Sequence, residues 1–256
     1  KPLWQPADYK FSKGGRSSGK SWERSDALIV DHIIDPDLRS ACLRETGVSL
    51  DESVKVLIEK RMRQHGVDHL FEFQSNRILS RQGDGRIIFK GIQSHNADSV
   101  RGLEGVKRIW FEEAQNTSAH VLNVLMPTIR ADDAEVWFTW NPEDPDAPIE
   151  EFAKQVKDSK KVIVHSTYKD NPFCPDRARD LAEAEREHNP ENYRWIWLGE
   201  FRTISEAKVF AGRYKVQEFE AQPHWDGPYF GADWGFSQDP TVLVKLWVAD
   251  KRLWLE

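Results

Sequence analysis

Residues 9–22 carry the run Tyr9-Lys10-Phe11-Ser12-Lys13-Gly14-Gly15-Arg16-Ser17-Ser18-Gly19-Lys20-Ser21-Trp22. Part of this run matches G-x-x-x-x-G-K-[ST], in which backbone amides surround phosphates, the lysine reaches the β/γ oxygens and the hydroxyl binds Mg²⁺. Glycines let the backbone turn its N–H groups inward, and the next helix presents the positive end of its dipole. The run therefore predicts a nucleoside triphosphate site, formed by Gly14, Gly15, Arg16, Ser17, Ser18, Gly19, Lys20 and Ser21.

The flanking residues fit the strand–loop–helix context that this pattern requires. Tyr9 to Ser12 reads as a short strand, and the stretch from Trp22 to Ile34 has apolar residues at helical spacing. These apolar residues are Ala27, Leu28, Val30, Ile33 and Ile34. Upstream, Trp4-Gln5-Pro6 offers either an aromatic face and an amide to a purine base or a cover for the sheet edge. The structural alternative for the loop is a glycine-rich turn between a strand and a helix.

The composition predicts a soluble globular protein. The chain has 256 residues, 39% of them hydrophobic, which suits one large or two ordinary domains with a sizeable core. It has no apolar run near the roughly 20 residues of a membrane span and no signal-peptide core, so we expect an intracellular protein without a membrane partner. Cys42 and Cys174 lie in unrelated segments and are expected to be reduced, buried thiols. The net charge of −6 means that any nucleic acid has to meet local basic features.

Downstream of the loop, predicted strands alternate with predicted helices. Residues 38–44 read as a strand, followed by a helix over about 52–65 that Asp51 caps and Gly66 ends. Further strands are predicted at 71–73, 77–79, 86–89, 135–142 and 161–166, and further helices at 118–125 and 149–156. This alternation predicts an α/β fold with a mainly parallel sheet that helices cover on both faces.

Two acids follow an apolar strand in the segment Lys107-Arg108-Ile109-Trp110-Phe111-Glu112-Glu113-Ala114. A first carboxylate at this place can hold the Mg²⁺ shell, and a second can orient and deprotonate water. The usual first acid is aspartate, whereas this chain has Glu112, whose longer side chain still reaches a metal through water. Glu113 is then the candidate general base. A pair of surface acids after a strand is the structural alternative.

Two further residues are candidates for the same site. Asn141 ends the predicted strand 135–142, where an amide can sense the presence or loss of a γ-phosphate. An Asn-Pro turn is the alternative. The polar, glycine-containing loop 99–106 runs into the strand that carries the two acids, and its Arg101 can reach a neighbour's nucleotide.

The last third of the chain does not continue the alternation of strands and helices. Asp170-Asn171-Pro172 precedes a charged helix at 176–188 and an aromatic segment at 193–199, which we expect to pack a small helical subdomain onto the core. Aromatics mixed with arginine also stack on nucleic acid bases, which is the alternative. We place the domains at 1–168 (P-loop core), 169–222 (helical linker subdomain) and 223–256.

The segment 223–256 reads as the opening hairpin of an RNase H-like nuclease. Asp233 lies in the apolar strand 229–235, a second strand follows at 242–248, and Asp233 is the candidate first metal ligand. A two-metal nuclease needs several carboxylates from distant strands. The segment is therefore expected to be only the truncated start of such a domain.

In their order along the chain, these motifs resemble the large terminase subunit of tailed bacteriophages, an ATP-driven DNA-packaging motor. The phosphate loop is shared by many NTPases, but the Glu-Glu-Ala ending and the segment 193–200 are more specific. The resemblance is carried by residues 14–21, Trp110-Phe111-Glu112-Glu113-Ala114, Phe138-Thr139-Trp140-Asn141-Pro142, Asp170-Asn171-Pro172, Tyr193-Arg194-Trp195-Ile196-Trp197-Leu198-Gly199-Glu200 and Gly231-Ala232-Asp233-Trp234-Gly235.

The resemblance implies a P-loop NTPase fold of the ASCE type and Mg²⁺-dependent ATP hydrolysis that moves double-stranded DNA into a viral procapsid. Lys20 and Ser21 then bind phosphate and Mg²⁺, and Glu112 holds the metal through water. Glu113 is the hydrolytic base, and Asn141 belongs to the motif that couples hydrolysis to motion. The full-length protein is expected to carry a genome-cutting endonuclease that takes Mg²⁺ or Mn²⁺, with Asp233 as one ligand.

The resemblance also implies partners. In this family a ring of subunits surrounds DNA, and an arginine of one subunit completes the ATP site of the next. Arg101 is the first candidate for that arginine, with Arg130 and Arg16 behind it. The expected partners are double-stranded viral DNA, the portal protein, the small terminase subunit and further copies of the chain in a homo-oligomeric ring, in the cytoplasm of the infected bacterial host.

Two other functions fit part of the pattern. A helicase-like, DNA-dependent ATPase would share the loop and the paired acids but would carry a second ATPase-like domain instead of a nuclease. A non-catalytic DNA-binding module gated by nucleotide would bind ATP without turnover.

Overall fold

The computed structural model describes residues 2–45, 54–92, 103, 105–131, 133–202, 217–234 and 241–256. The chain forms two compact units, Lys1–Thr203 and Ile204–Glu256. Residues 169–202 therefore group with the sheet that precedes them, whereas the sequence places domain boundaries at 168 and 222. The physical reason is that this segment hydrogen bonds directly to the loop at residues 14–21, as described below.

The first unit is built on an eight-stranded sheet. In spatial order its strands are β3 (Phe71–Phe73), β4 (Arg77–Ser80), β5 (Arg86–Gly91), β2 (Arg39–Arg44), β6 (Arg108–Glu112), β7 (Glu135–Trp140), β1 (Tyr9–Gly14) and β8 (Lys161–Ser166). Every neighbouring pair from β5 to β8 is parallel, whereas β3, β4 and β5 pair antiparallel. The prediction of a mainly parallel sheet is confirmed.

The described helices are α1 (Lys20–Ile34), α2 (Val54–Gln64), α3 (Ala119–Leu125), α4 (Pro148–Gln155), α5 (Asp176–His188) and α6 (Pro190–Ile196). The predicted cap of the second helix, Asp51, lies outside the described residues. Ser118 caps α3, because its hydroxyl accepts a hydrogen bond from the Val121 amide at 3.3 Å.

Helices cover both faces of the sheet because successive side chains of a strand point to opposite faces. On one face, Phe11, Phe138 and Phe111 stack at centroid distances of 5.2 and 4.9 Å, and α3 and α4 pack over them. On the other face, Trp110 and Trp137 pack under α1 and α2. Two aromatic layers therefore fix the central strands β1, β6 and β7 in register.

The buried face of α1 combines polar and apolar residues. Arg24, Leu28 and His32, spaced four residues apart, face the sheet, whereas Ile33 and Ile34 are 37% and 76% exposed. The two isoleucines lie off the i, i+4, i+8 stripe that these three buried residues define. Polar residues are tolerated on that stripe because they have partners. The Arg24 guanidinium lies 4.8 Å from the Trp137 ring and binds Glu23 through two nitrogens.

Residues after β8 build a small helical layer with its own core. Tyr168, Cys174, Ala182, Tyr193 and Trp197 are buried together. The aromatic segment 193–199 therefore contributes its buried rings to packing, which is the use that the sequence favoured.

The second unit is a three-stranded antiparallel sheet, β9 (Asp226–Asp233), β10 (Val242–Ala249) and β11 (Arg252–Leu255), in the order β11-β10-β9. The sequence predicted the first two strands, and β11 adds a third. Phe219, Trp225, Trp247 and Trp254 form an aromatic cluster, with centroid distances of 4.8 to 5.9 Å.

No described helix combines the length and the apolar character needed to cross a bilayer. Cys42 and Cys174 are free and buried, as the sequence predicts. Burial raises the pKa of the Cys42 thiol, so this sulfur is held in its neutral form.

Candidate active site

A cleft of about 1260 Å³ lies where the parallel strands β6, β7, β1 and β8 end. Ligands of open α/β sheets bind at this carboxyl edge. The cleft is lined by Glu112, Glu113 and Asn141, and by every predicted phosphate-binding residue except Gly14. Residues from three separate parts of the sequence are thus brought to one edge of the sheet.

The phosphate loop, residues 14–21, connects β1 to α1 through left-handed backbone conformations. Gly14, Ser17 and Gly19 have φ angles of 147°, 57° and 85°. A Cβ on Gly14 would overlap the backbone carbonyl oxygen of Ser166, which accepts a hydrogen bond from the next amide, Gly15 N, at 3.1 Å. Glycine at position 14 is therefore required by the close approach of β8.

Lys20 lies at the centre of the loop. Its Nζ donates to the carbonyl oxygens of Gly14 and Gly15 at 3.0 and 2.9 Å and to Ser18 Oγ at 3.0 Å. Burial lowers the pKa of Lys20 to about 8, and the nearby charge of Glu112 opposes that change. The ammonium group is surrounded by neutral oxygens, which phosphate oxygens can replace with a stronger, charged interaction.

Asn141 joins the loop to the next strand. Its Oδ1 accepts a hydrogen bond from Lys20 Nζ at 2.8 Å. The strand end beneath it is fixed, because Thr139 is buried and its Oγ1 accepts a hydrogen bond from Trp110 Nε1 at 2.9 Å. The side chain that the sequence singled out as a γ-phosphate sensor therefore contacts the lysine of the phosphate loop directly.

The two acids at the end of β6 share one cation. Arg44, the last residue of β2, forms an ion pair with Glu113 through Nη2, and its Nε lies 3.6 Å from Glu112 Oε2. Burial raises the pKa of Glu112, while the charges of Arg44 and Lys20 oppose that rise. Glu113 has φ 52° and ψ 48°, a left-handed conformation that costs a non-glycine residue about 1 kcal/mol.

Sequence reasoning missed Arg44. The strand it ends was predicted, but not that β2 would be the neighbour of β6 in the sheet. An arginine at the carboxyl end of a strand in a parallel sheet is the only signal that could have pointed to it.

The residues present fit a hard divalent cation. Ser21 and Glu112 both line the cleft and supply oxygen donors, which Mg²⁺ prefers. Glu112 Oε2 is buried and accepts no hydrogen bond from the described residues. A buried carboxylate oxygen without a donor is costly, and a metal-bound water would satisfy it.

The loop has two walls. We call the ends of β2, β6 and β7, with Arg44, Glu112, Glu113 and Asn141, the carboxylate side. We call residues 165–175 and 193–199 the lid side. On the lid side, Arg16 N donates to Ile196 O at 2.7 Å, and a Cβ on Gly199 (φ 68°) would overlap the backbone of Gly14 and Gly15. The lid side therefore touches the loop backbone itself.

Asn171 ties a second part of the lid side to the loop. Its Nδ2 donates to Ser17 O at 2.8 Å, and its side chain lies against the Cα of Gly19. The resemblance had marked this residue without giving it a role. Asn171 follows β8, and from this position its side-chain amide can hold the phosphate loop at Ser17.

The remaining predicted site residues are Arg101, Arg130 and Asp233. Arg101 lies outside the described residues. Arg130 is exposed, its Nε lies 3.5 Å from Pro127 O, and it is not among the residues that line the cleft. Asp233 ends β9 in the second unit, and the described residues contain no group of three or more His, Cys, Asp or Glu residues arranged to hold a metal.

Comparison with known proteins decides the family. A family model described as phage terminase large subunit matches residues 6–200, which is most of the chain. The chain belongs to the phage terminase large subunit family. The family match spans both walls of the phosphate loop and ends just after Gly199.

Individual relatives are distant in sequence and longer. The chain is 22% identical over 280 residues to the PBSX phage terminase large subunit of Bacillus subtilis strain 168, covering 96% of this chain and 62% of that protein. It is 24% identical over 262 residues to the terminase large subunit of Bacillus phage SPP1, covering 94% and 60%. The chain therefore spans about 60% of the length of these curated relatives.

The fold recurs in solved terminase structures. The large terminase of a thermophilic bacteriophage, solved in complex with ADP, superposes with a TM-score of 0.63 at 15% identity, covering 98% of this chain and 63% of that one. The mixed, mostly parallel sheet with helices on both faces is thus the α/β P-loop fold that the sequence predicted.

Proposed function

We propose that the unit Lys1–Thr203 of this terminase is a Mg²⁺-dependent ATPase that drives double-stranded DNA into a viral procapsid. One observation carries the proposal: Lys20 of the phosphate loop hydrogen bonds Asn141 at the end of β7, with Glu112 and Glu113 ending the neighbouring strand β6. Phosphate binding, metal binding and base chemistry need these groups within reach of one γ-phosphate. The ADP complex of the large terminase from the thermophilic bacteriophage supports the choice of an adenine nucleotide.

The loop amides, Lys20 and Ser21 hold the triphosphate in this proposal. Ser21 and Glu112 hold Mg²⁺, Glu112 through a bound water. The ion, when bound, neutralises charge that develops on the phosphate oxygens during transfer. Lys20 exchanges its contact with Asn141 Oδ1 for phosphate oxygens, so the amide of Asn141 is released when ATP binds and can report that event to β7.

Glu113 accepts the proton of the attacking water. It does so from a carboxylate that is paired with Arg44 in this structure, so the pair must loosen for Glu113 to contact water. Arg44 Nε already lies near Glu112. Movement of the Arg44 guanidinium toward Glu112 frees Glu113. The buried carboxylate of Glu112 then keeps a cation beside it.

Family membership supports the wider role of the full-length protein. We propose double-stranded viral DNA, the portal protein and the small terminase subunit as partners, a homo-oligomeric ring on the procapsid, and the host cytoplasm as the location. The domain division at 168 and 222 is proposed as a functional one, with 169–222 moving against the core. Asp233 alone cannot hold two metals, so the nuclease role rests on carboxylates from the rest of that domain.

The test is ATP turnover by the purified chain with and without Mg²⁺ and DNA. Turnover should require Mg²⁺ and should fall at least about 100-fold in Glu113→Ala, because a general base contributes 10² to 10⁴. Glu151→Ala is the matched control, since Glu151 is on α4 and does not line the cleft. Unchanged turnover in Glu113→Ala overturns the base assignment.

Two other outcomes would replace the proposal. ATP binding without turnover, even with DNA and assembled rings, would identify a nucleotide-gated binding module. ATP-dependent separation of DNA strands would identify a helicase.

Arg101 remains our proposal for the arginine that acts across subunits. Mixing Arg101→Ala chains with Glu113→Ala chains tests it. Each variant lacks one half of a shared site, so turnover should recover in the mixture if the arginine acts on the neighbour. No recovery, with both variants folded and assembled, would contradict the assignment.

A further inference from the structure

Among the exposed large apolar side chains of the described residues, Phe173 has the highest exposed fraction, at 86%. It lines the same cleft as the phosphate loop. Full exposure of a phenylalanine forgoes the burial that usually stabilises such a side chain. Within the described part of the chain, no aromatic ring or cation stacks on it. Its ring is thus an open apolar surface inside a ligand cleft.

The turn that carries Phe173 is held rigidly. Phe173 N donates to Asn171 Oδ1 at 3.0 Å, and Arg179 Nη2 donates to Asn171 O at 2.9 Å. Asn171 in turn donates to Ser17 O of the phosphate loop. A side chain on such a turn is placed for a ligand at little further entropic cost.

The order of the strands sets the direction in which a bound nucleotide extends. The catalytic carboxylates follow β6, Asn141 follows β7, the phosphate loop follows β1, and the turn at residues 167–175 follows β8. Adjacent strands are about 4.8 Å apart, so β6 and β8 are separated by about 14 Å. A nucleotide whose γ-phosphate faces Glu113 and whose phosphates cross the loop therefore carries its base toward Phe173.

We propose that Phe173 is the surface on which the base of the bound nucleotide stacks. This inference rests on the proposed ATPase function and adds the residue that holds the base. Stacking uses the face of the ring and not hydrogen-bond readout, so it favours any base over none and separates adenine from guanine only weakly.

Three other aromatic rings line the cleft. Trp140 is buried, and its Nε1 donates to Glu150 Oε1 at 3.0 Å. Trp22 is engaged elsewhere, because Arg61 and Lys60 lie over it at 4.8 and 5.3 Å from the ring centroid. Trp4 is 50% exposed and belongs to the N-terminal segment. Trp4 is therefore the competing surface, and the experiment includes it.

The experiment compares binding of ATP, GTP and inorganic tripolyphosphate by calorimetry. Phe173→Ala should weaken ATP and GTP roughly ten-fold and leave tripolyphosphate unchanged, and Phe173→Tyr should restore nucleotide binding. Leu181→Ala is the matched control, because Leu181 is exposed on α5 outside the cleft. Quenching of a 2-aminopurine nucleoside triphosphate, which reports stacking, should be strong in the wild type and weak in Phe173→Ala.

Unchanged ATP affinity in Phe173→Ala overturns the inference, as does a loss that Trp4→Ala shows and Phe173→Ala does not. An equal loss for ATP and tripolyphosphate also overturns it, because the ring would then support the loop and not the base. Failure of the ATPase proposal is distinguishable, since the wild-type chain itself would not bind or hydrolyse ATP.

Discussion

The carboxylate side and the lid side contact the phosphate loop through different kinds of groups. The carboxylate side reaches it with charged and amide side chains, of which Lys20 and Asn141 form the link. The lid side reaches it mainly through backbone, by the hydrogen bond from Arg16 N to Ile196 O and the close approach of Gly199, and Asn171 adds one side-chain hydrogen bond to Ser17 O. Side chains can exchange partners during a reaction, whereas packed backbone positions the loop. We infer that the carboxylate side governs turnover and the lid side governs nucleotide affinity.

The largest expected effect on ATP affinity is on the lid side. Gly199→Ala should weaken ATP binding on the order of 100-fold, because its Cβ would overlap the backbone of Gly14 and Gly15 at a positive φ and force the loop to move. Binding calorimetry and thermal unfolding measure the change.

The matched control is Gly66→Ala, which has a φ of 70° and no atom within 4 Å of the added Cβ. It should cost about 1 kcal/mol of stability from the left-handed backbone alone and leave ATP affinity unchanged. Equal effects of the two variants would show that backbone strain, and not the contact between lid side and loop, matters at Gly199.

A ten-fold effect is expected at Asn171. Asn171→Ala removes two hydrogen bonds, to Ser17 O and from Phe173 N, each worth about 1 kcal/mol. The Kd for ATP should rise about ten-fold or slightly more, with kcat at saturating ATP within a factor of about two. Asn76→Ala is the control, because Asn76 is an exposed amide between β3 and β4 that does not line the cleft. A fall in kcat in Asn171→Ala would contradict the separate roles of the two sides.

The pattern in the sequence predicts the side chains of the site better than the contacts between them. Glu112, Glu113 and Asn141 were singled out because an apolar strand followed by polar residues marks a strand end, and Lys20 because it lies in the G-x-x-x-x-G-K-[ST] pattern. Parallel strand ends meet at one edge, so their convergence followed from the fold.

The other features of the site depend on contacts between segments that are distant in sequence, which local sequence patterns do not reveal. Arg44 acts through the adjacency of β2 and β6, which lie far apart in sequence. Gly199 is required only because α6 ends against β1, a contact between distant segments. The burial of Arg24 and His32 on α1 also depends on the fold, which places the Trp137 ring beside Arg24 and Ser40 Oγ beside His32 Nε2.

The smallest expected effect is at Arg44. Arg44→Met leaves Glu112 and Glu113 adjacent without their shared cation and should lower the free energy of unfolding by about 1 kcal/mol near neutral pH. Burial raises the pKa of Glu112, so this acid takes up its proton at a higher pH than a solvent-exposed glutamate does.

The stabilisation by Arg44 requires ionised acids, so the difference from the wild type should shrink as the pH falls from 7 to 4. Chemical denaturation across that range measures it. Lys154→Met is the control, since its pair with Glu151 is well exposed and should contribute little at any pH. A difference that grows on acidification would contradict the account of a shared cation.

The claim that the carboxylate side governs turnover and the lid side governs affinity is tested most directly by a double-mutant cycle. Its four proteins are the wild type, Glu113→Gln, Asn171→Ala and the double variant. The Kd for ATP and the kcat are measured for each protein. We predict that Glu113→Gln lowers kcat at least about 100-fold with little change in Kd. Asn171→Ala should do the reverse, and the double variant should show both changes, additive within about 0.5 kcal/mol. Coupling above about 1 kcal/mol, or a loss of affinity in Glu113→Gln that matches its loss of turnover, would contradict the claim that the two sides act separately.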